Sequence, residues 1–155
     1  SRTSQANKSK PYEINIALVD ALKGTIAGAD EHAMQRFICA HAIMLGLEGI
    51  PGIYIHSLLG TKNDHDKLAH THHNRAINRH RWRAAELEER LNHVQSFNSQ
   101  ILRQLLALID IRKAQPAFHP NATQFTLHLG LSLFGFWRQS QDKQQSIFLD
   151  LVDNK

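Results

Sequence analysis

The sequence is poor in the residues that stabilise secreted proteins and anchor membrane proteins. Cys39 is the one cysteine among 155 residues, so the chain cannot form an internal disulfide bond, and this favours a reducing compartment. No segment approaches the roughly 18 consecutive apolar residues that a membrane-spanning helix needs, and no basic region followed by an apolar run opens the sequence. We therefore expect a cytoplasmic protein that has no membrane partner.

A strong excess of charge is also absent. The chain carries 18 basic and 14 acidic residues, a net charge of +4, and its basic side chains cluster only at residues 79–83. Surfaces that bind nucleic acids usually carry more positive charge in one place. We therefore expect no nucleic-acid partner, and a basic loop above an anionic substrate explains the cluster equally well.

Two apolar patterns divide the chain near residue 116. Helical spacing predicts helices after Asn15, over 30–47, over 84–91 and over 94–115, and Asn15 and Asp30 are placed to cap the first two. Alternating apolar residues predict antiparallel strands near 125–129, 131–137 and 147–151. We expect a solvated arm over 1–10, the mainly helical part over 11–115 and the start of a β domain over 116–155.

Residues 52–58 interrupt the helical part. They are rich in β-branched and aromatic residues and follow a Gly-Ile-Pro-Gly turn, which predicts a strand. Consecutive apolar residues at its centre are typical of strands covered on both faces, as in parallel sheets. The predicted order is a helix, a buried strand, a long loop, further helices and antiparallel strands. The end of a β/α barrel that precedes a β domain has the same order. We therefore predict an α+β fragment of an α/β parent.

The polar stretch over 60–81 is the candidate functional region. Loops of this length in compact domains are usually functional or disordered, and the loops that follow barrel strands build active sites. Arg75 and Arg79 lie four residues apart, so a helical backbone would place both on one face. We expect these arginines to contact a substrate, the alternative being surface ion pairs that hold the loop together.

Other chemistries find little support in the sequence. Three side chains of this stretch could converge on zinc, namely His72 or His73 together with His80 and Asp66. However, the chain has neither a His-Glu-x-x-His pattern nor a cysteine pair, so we predict no metal site. His56 and Ser57 are neighbours without a glycine elbow, which argues against a nucleophilic serine. Glycine-rich phosphate loops are absent as well, and we predict no cofactor.

Three segments in one order resemble the sucrose phosphorylases and their glucosylglycerate phosphorylase relatives in glycoside hydrolase family 13. They are Gly-Ile-Pro-Gly-Ile-Tyr-Ile-His-Ser-Leu-Leu-Gly at 49–60, Lys-Asn-Asp at 62–64 and Asn-Arg-Ala-Ile-Asn-Arg-His at 74–80. The resemblance implies a parent with a TIM (β/α)8 barrel and an antiparallel β C-terminal domain. It makes 52–58 the eighth barrel strand and 30–47 the seventh barrel helix.

The resemblance also implies substrate-binding residues. Arg75 matches the family arginine at the bottom of the pocket for the glucosyl ring, where a guanidinium binds sugar hydroxyls. Tyr12 and Glu13 match the mobile loop on the acceptor side. Relatives that act on sucrose tend to carry glutamine at the position of Glu13, so the chain is similar to the glucosylglycerate branch. Further candidate loop contacts are Asn74, Asn78 and Arg79.

The family reaction implies substrates that include an α-glucoside and inorganic phosphate, which yield α-glucose 1-phosphate and a free acceptor. It proceeds with retention through a carboxylate nucleophile and a carboxylic acid. In the family both groups, and a third aspartate, precede the part that this chain matches, and His65-Asp66 imitates the third aspartate after the wrong strand. We therefore predict no catalytic residue in this chain and an inactive fragment.

Two alternatives stay open at this point. One is a sucrose hydrolase or amylase-like parent, which would not depend on phosphate. The other is a non-catalytic module for sugar binding or oligomerisation. The apolar stripe over 97–109 and the strand over 134–137 need cover, so we expect the fragment to self-associate.

Overall fold

In the described part of the chain, a helical part comes first and a small sheet follows it. The computed structural model describes residues 14–152, and Tyr12, Glu13 and the predicted arm over 1–10 lie outside this range. The helices are α1 (Leu18–Ala21), α2 (Ala33–Gly46), α3 (Ile55–Leu58), α4 (His65–Thr71), α5 (Ala84–Asn92) and α6 (Phe97–Ala114), with 3₁₀ turns at Asn74–Asn78 and Pro116–Phe118. The strands are β1 (Gly24–Thr25), β2 (Gly28–Ala29), β3 (Thr123–Leu127), β4 (Leu133–Gln139) and β5 (Ser146–Val152). The predicted α+β class is confirmed.

The apolar core lies between α2 and α6. Phe37 of α2 and Ile101 and Leu105 of α6 are completely buried, at the helical spacing that predicted these two helices. Burying each such side chain contributes about 1.5–3 kcal/mol. In the stretch from residue 14 to residue 152, no helix is both long enough and apolar enough to span a bilayer.

A capping side chain sets the start of α6. The helix begins at Phe97 and not at residue 94, because the Oγ of Ser96 accepts a hydrogen bond from the amide of Ser99 at 3.0 Å. The helix predicted over 94–115 is otherwise confirmed, and Ile101 and Leu105 of its apolar stripe are buried in the core with Phe37 of α2. The core therefore depends on one long helix with a defined first turn.

Strands β3, β4 and β5 form an antiparallel meander, as the alternating pattern predicted. Phe136 at the centre of β4 is 1% exposed and packs on Gly46 at the end of α2. A Cβ atom at Gly46 would lie 2.5 Å from the Cζ of Phe136, far inside van der Waals contact. Glycine at this position therefore allows the sheet to approach the helical part.

Two arginines from different elements bind the C-terminal end of α2. Arg112 of α6 donates to the carbonyl oxygens of Leu45, Leu47 and Gly49, the last at 2.7 Å. Arg138 of β4 is completely buried and donates to three carbonyl oxygens, those of Gly46 at 3.2 Å, His119 at 3.0 Å and Ala122 at 3.3 Å. Because the last carbonyls of a helix lack intrahelical partners, positive donors are favoured there.

The other face of the sheet carries a stack of aromatic rings. Trp137 lies between Phe125 and Phe148, with ring centroids 4.8 Å and 5.7 Å away. Phe148 is 66% exposed and Phe125 43% exposed, while the Nε1 of Trp137 is buried without a hydrogen-bond partner among the described residues. This aromatic face is therefore an apolar surface that no other part of residues 14–152 covers.

The predicted strand over 52–58 is wrong. Residues 51–54 belong to no helix or strand, and residues 55–58 form α3, in which the amide of Leu58 donates to the carbonyl of Tyr54 at 3.0 Å. A strand needs neighbours to accept its backbone hydrogen bonds. Among the described residues no strand lies beside this segment, so its second half makes local hydrogen bonds instead.

The predicted loop and caps also differ from the structure. The stretch over 60–81 contains α4 and the Asn74–Asn78 turn, because Asp64 caps a helix that the polar composition concealed. Ala17, not Asn15, occupies the N-cap position of α1. His32 takes that position in α2, while Asp30 accepts a hydrogen bond from the His32 amide and pairs with Arg36 at 2.7 Å. No pattern in the sequence predicted the short hairpin of β1 and β2.

Replacing Arg138 by methionine tests the junction between the sheet and α2. Methionine fills a similar volume but leaves three buried carbonyl oxygens without their donor. We expect the free energy of unfolding to fall by about 2–4 kcal/mol, measured by urea denaturation. Arg103→Met, on the exposed side of α6, is the matched control and should change it by less than about 0.5 kcal/mol. Equal stability of the two variants would contradict the role of Arg138.

Candidate functional site

Arg75 is an exposed residue of a 3₁₀ turn, the Asn74–Asn78 turn. It lines a shallow groove of about 270 Å³, which we call the Arg75 groove and which is formed by Ile14, Asn15, Tyr54, Arg75, Asn78 and Arg79. Three of the predicted site residues therefore meet here: Arg75, Asn78 and Arg79. Asn74 is exposed and does not line the groove, and Tyr12 and Glu13 lie outside the described residues.

Buried and hydrogen-bonded neighbours hold this turn. Ala76 and Ile77 are each 8% exposed and anchor it to the protein. The hydroxyl of Tyr54 donates to the carbonyl of Asn78 at 3.4 Å, and the ammonium group of Lys67 donates to the carbonyl of Arg79. The guanidinium of Arg75 is thus presented by a backbone that is fixed on both sides.

Asp64 uses all of its polar groups to join the segments around the turn. Its amide donates to the carbonyl of Ile77 at 2.6 Å, and its own carbonyl accepts from the amide of Leu68 at 3.1 Å. Oδ1 accepts from the amide of Lys67 at 2.8 Å and thereby caps α4. Oδ2 lies 2.7 Å from the Nδ1 of His80. The Lys67 amide and His80 lower the pKa of Asp64, while burial opposes them.

Further contacts hold His80 and its neighbour Trp82 in place. The ring of His80 meets the ring of Trp82 edge-on, with centroids 4.6 Å apart. The Nε1 of Trp82 donates to the Oγ1 of the buried Thr61 at 2.9 Å, and the Nδ1 of His56 lies 3.2 Å from the same oxygen. Burial, together with the positive charges of His80 and Lys67, lowers the pKa of His56. Side-chain contacts therefore fix His80 and Trp82, which lie outside α4 and the Asn74–Asn78 turn.

The loop is also tied to the first helix. The Oδ1 of Asn63 accepts from the amide of Ala17 at 2.7 Å, and the amide of Asn63 donates to the Oδ2 of Asp20 at 2.6 Å. This reciprocal pair fixes residues 61–64 against α1. In the sequence the Lys-Asn-Asp segment carries only a family resemblance, and no pattern there indicates the structural roles of Asn63 and Asp64.

The chain matches known phosphorylases along most of its described length. It is 44% identical to the glucosylglycerate phosphorylase of Allomeiothermus silvanus over 115 residues, which is 74% of this chain and 21% of that protein. It is 39% identical to the glucosylglycerate phosphorylase of Escherichia coli over 117 residues, 76% of this chain and 21% of that protein. The chain is homologous to the glucosylglycerate and sucrose phosphorylases of glycoside hydrolase family 13.

The fold agrees with this homology. The crystal structure of the sucrose 6F-phosphate phosphorylase from Thermoanaerobacter thermosaccharolyticum superposes with a TM-score of 0.60 at 30% sequence identity, covering 75% of this chain and 22% of that one. No protein-family model matches the chain. The chain spans about a fifth of the length of the curated phosphorylases it matches. The resemblance drawn from three motifs is confirmed.

The histidines of the loop do not come together. Within residues 14–152 no group of three or more His, Cys, Asp or Glu side chains is placed to hold a metal ion. His80 pairs with Asp64, and His72 ends α4 in the left-handed conformation with φ of 50°. Asp66 is an exposed residue in the first turn of α4. None of these side chains lines the Arg75 groove of this phosphorylase homologue.

Acid should weaken the loop through Asp64. Its pKa in the folded protein is lower than its ordinary value of 3.8, so its contribution to stability is complete above about pH 4 and is lost as the pH falls through the folded pKa. We expect Asp64→Ala to lower the free energy of unfolding by about 1–2 kcal/mol at pH 7, and this difference should shrink at pH 3.

Urea denaturation at both pH values measures the effect. Asp66→Ala, which removes an exposed carboxylate two residues away, is the control and should cost less than about 0.5 kcal/mol. A cost of Asp64→Ala that stays constant between pH 7 and pH 3 would show that the ionised carboxylate is not what stabilises the loop.

Proposed function

We propose that the chain is one part of a glucosyl-transferring phosphorylase, namely its last barrel unit and the start of its β domain. The parent enzyme converts an α-glucoside and inorganic phosphate into α-glucose 1-phosphate and a free acceptor. The homologues named above are phosphorylases of glucosylglycerate and of sucrose derivatives. The observation that carries the proposal is the grouping of Arg75, Asn78 and Arg79 around one groove in a chain homologous to such enzymes.

Arg75 supplies the sugar contact in this proposal. Its planar guanidinium offers five donors in a fixed fork, which suits vicinal hydroxyls or a carboxylate from another part of the parent. The groove is open and shallow, as expected of one wall of a larger pocket. Loops after barrel strands form such pockets together. The remaining walls then come from segments that this chain does not contain.

The chain by itself is inactive in this proposal. Retaining glucosyl transfer needs a carboxylate nucleophile and a carboxylic acid close to the anomeric carbon. Among the described residues no Asp or Glu lines the Arg75 groove. Loss of such groups reduces catalytic rates by many orders of magnitude.

Exposed apolar side chains near 50–55 support a barrel as the missing surroundings. Ile50 is 86% exposed, Ile55 54% and Tyr54 52%, although all three follow a well-packed helix. Residues 51–54 lie in neither a helix nor a strand, Tyr54 has extended backbone angles, and no strand of residues 14–152 pairs with them. Such a segment fits between two further strands, which would accept its hydrogen bonds and cover its side chains.

Grafting tests the proposed function. The segment of the E. coli glucosylglycerate phosphorylase that matches this chain is replaced by the corresponding residues of this chain, and release of glucose 1-phosphate is measured with glucosylglycerate and phosphate. We expect phosphate-dependent turnover by the graft and none by the isolated chain. Hydrolysis that does not depend on phosphate would favour the hydrolase alternative, and turnover by the purified isolated chain would overturn the inactive-fragment proposal.

Arg75→Lys in the graft tests the arginine itself. Lysine keeps the charge but loses the planar fork, so we expect kcat/KM to fall by about 10²-fold. Arg81→Lys, at an exposed position that does not line the groove, is the matched control and should leave kcat/KM unchanged. If Arg75→Lys leaves kcat/KM of the graft as unchanged as Arg81→Lys does, Arg75 does not bind the substrate.

Self-association of the isolated chain follows from its aromatic face. Phe125, Trp137 and Phe148 form a stacked apolar surface that we propose is covered by a second copy. We expect a concentration-dependent dimer in sedimentation velocity, and Phe148→Gln should raise its Kd by about tenfold. Ile111→Gln, at an equally apolar position that is 54% exposed on α6, is the control. If Ile111→Gln raises the Kd of the dimer and Phe148→Gln does not, the second copy does not cover the aromatic face.

A further inference from the structure

Arg75 lies on a single short 3₁₀ segment, the Asn74–Asn78 turn. At its two ends, the amide of Ala76 donates to the carbonyl of His73 at 2.8 Å and the amide of Arg79 donates to that of Ala76 at 3.2 Å. Such short 3₁₀ segments have poor hydrogen-bond geometry. Contacts from outside the turn therefore add to what holds the Arg75 backbone in place.

Those contacts converge on Asp64. Its amide holds the carbonyl of Ile77, two residues after Arg75, and its Oδ2 holds the Nδ1 of His80, two residues after the turn ends. His80 is itself supported by Trp82, which donates to the buried Thr61. A continuous series of contacts thus runs from a buried hydroxyl, through a carboxylate, to the backbone that carries the guanidinium.

We propose that Asp64 and His80 are positioning residues that hold Arg75 in the orientation needed to bind the glucosyl ring. The inference rests on the proposed function and adds to it two residues that do not touch the substrate themselves. Neither residue lines the Arg75 groove, so their effect passes through Arg75. A displacement of about 1 Å at a substrate-positioning group can cost about 10²-fold in rate.

Two substitutions separate positioning from folding. Asp64→Ser keeps a residue that caps helices well, so α4 persists, but serine is too short to reach His80. His80→Phe keeps a ring against Trp82 and removes the Nδ1 that contacts Asp64. Asp66→Ser is the matched control, because it removes a neighbouring carboxylate that is exposed and does not line the groove.

The variants are measured in the grafted phosphorylase with glucosylglycerate and phosphate. We expect Asp64→Ser and His80→Phe each to raise the KM for glucosylglycerate by about tenfold or more with a smaller change in kcat, and Asp66→Ser to change neither. In an Arg75→Lys background the same substitutions should add little, because residues that act through one side chain are not additive. Unchanged KM, or full additivity with Arg75→Lys, would overturn the inference.

A second measurement works without activity and so separates the two proposals. In the 155-residue chain, nuclear Overhauser contacts between the Tyr54 ring and Asn78 report the position of the turn. We expect Asp64→Ser and His80→Phe to weaken these contacts while the amides of α4 stay protected. An inactive wild-type graft combined with weakened contacts would refute the proposed function but support the positioning role of Asp64 and His80. Contacts that persist in both variants would refute that positioning role even if the graft is active.

Discussion

The binding of the α2 carbonyls by Arg112 and Arg138 is the constraint on which the rest of the structure depends. α6 contributes one arginine and β4 the other, so three elements far apart in sequence meet at one helix end. The partial negative charge at a helix C-terminus and the guanidinium donors complement each other. Gly46 permits the close approach of Phe136 that brings the buried Arg138 there. Residues 50–54 follow this junction in the chain. The last of them, Tyr54, contacts the turn that carries Arg75.

Side chains, rather than backbone ladders, give the loop over 60–82 its shape. Asn63 binds the amide of Ala17 before α1, while Asp64 and Thr61 bind Lys67 and Trp82 within the stretch, whose composition is that of a solvated loop. Loops built in this way can present a functional group rigidly without being buried, since their polar atoms are satisfied internally. The groove of Arg75 is the product of this arrangement.

The chain spans about a fifth of the phosphorylases it matches. In its described residues the aromatic face, Ile50 and Tyr54 are apolar surfaces without cover. Periodicity predicted α2, α5, α6 and the three strands of the meander, because their apolar residues recur at the period of a helix or of a strand. It failed at 52–58, where the residues have strand character but α3 forms, since the local hydrogen bonds of a helix need no neighbouring strand.

The sequence by itself determined the family, the α+β class and the candidate arginine, because these follow from ordered motifs and from periodic apolar spacing that each segment carries on its own. Only the tertiary structure decided that Asp64 connects α4, the Asn74–Asn78 turn and His80, and that Arg138 is buried against a helix end. The partners of these residues lie up to 92 positions away in the chain. Which donors and acceptors become neighbours at such separations depends on how the elements pack, and no local pattern encodes it.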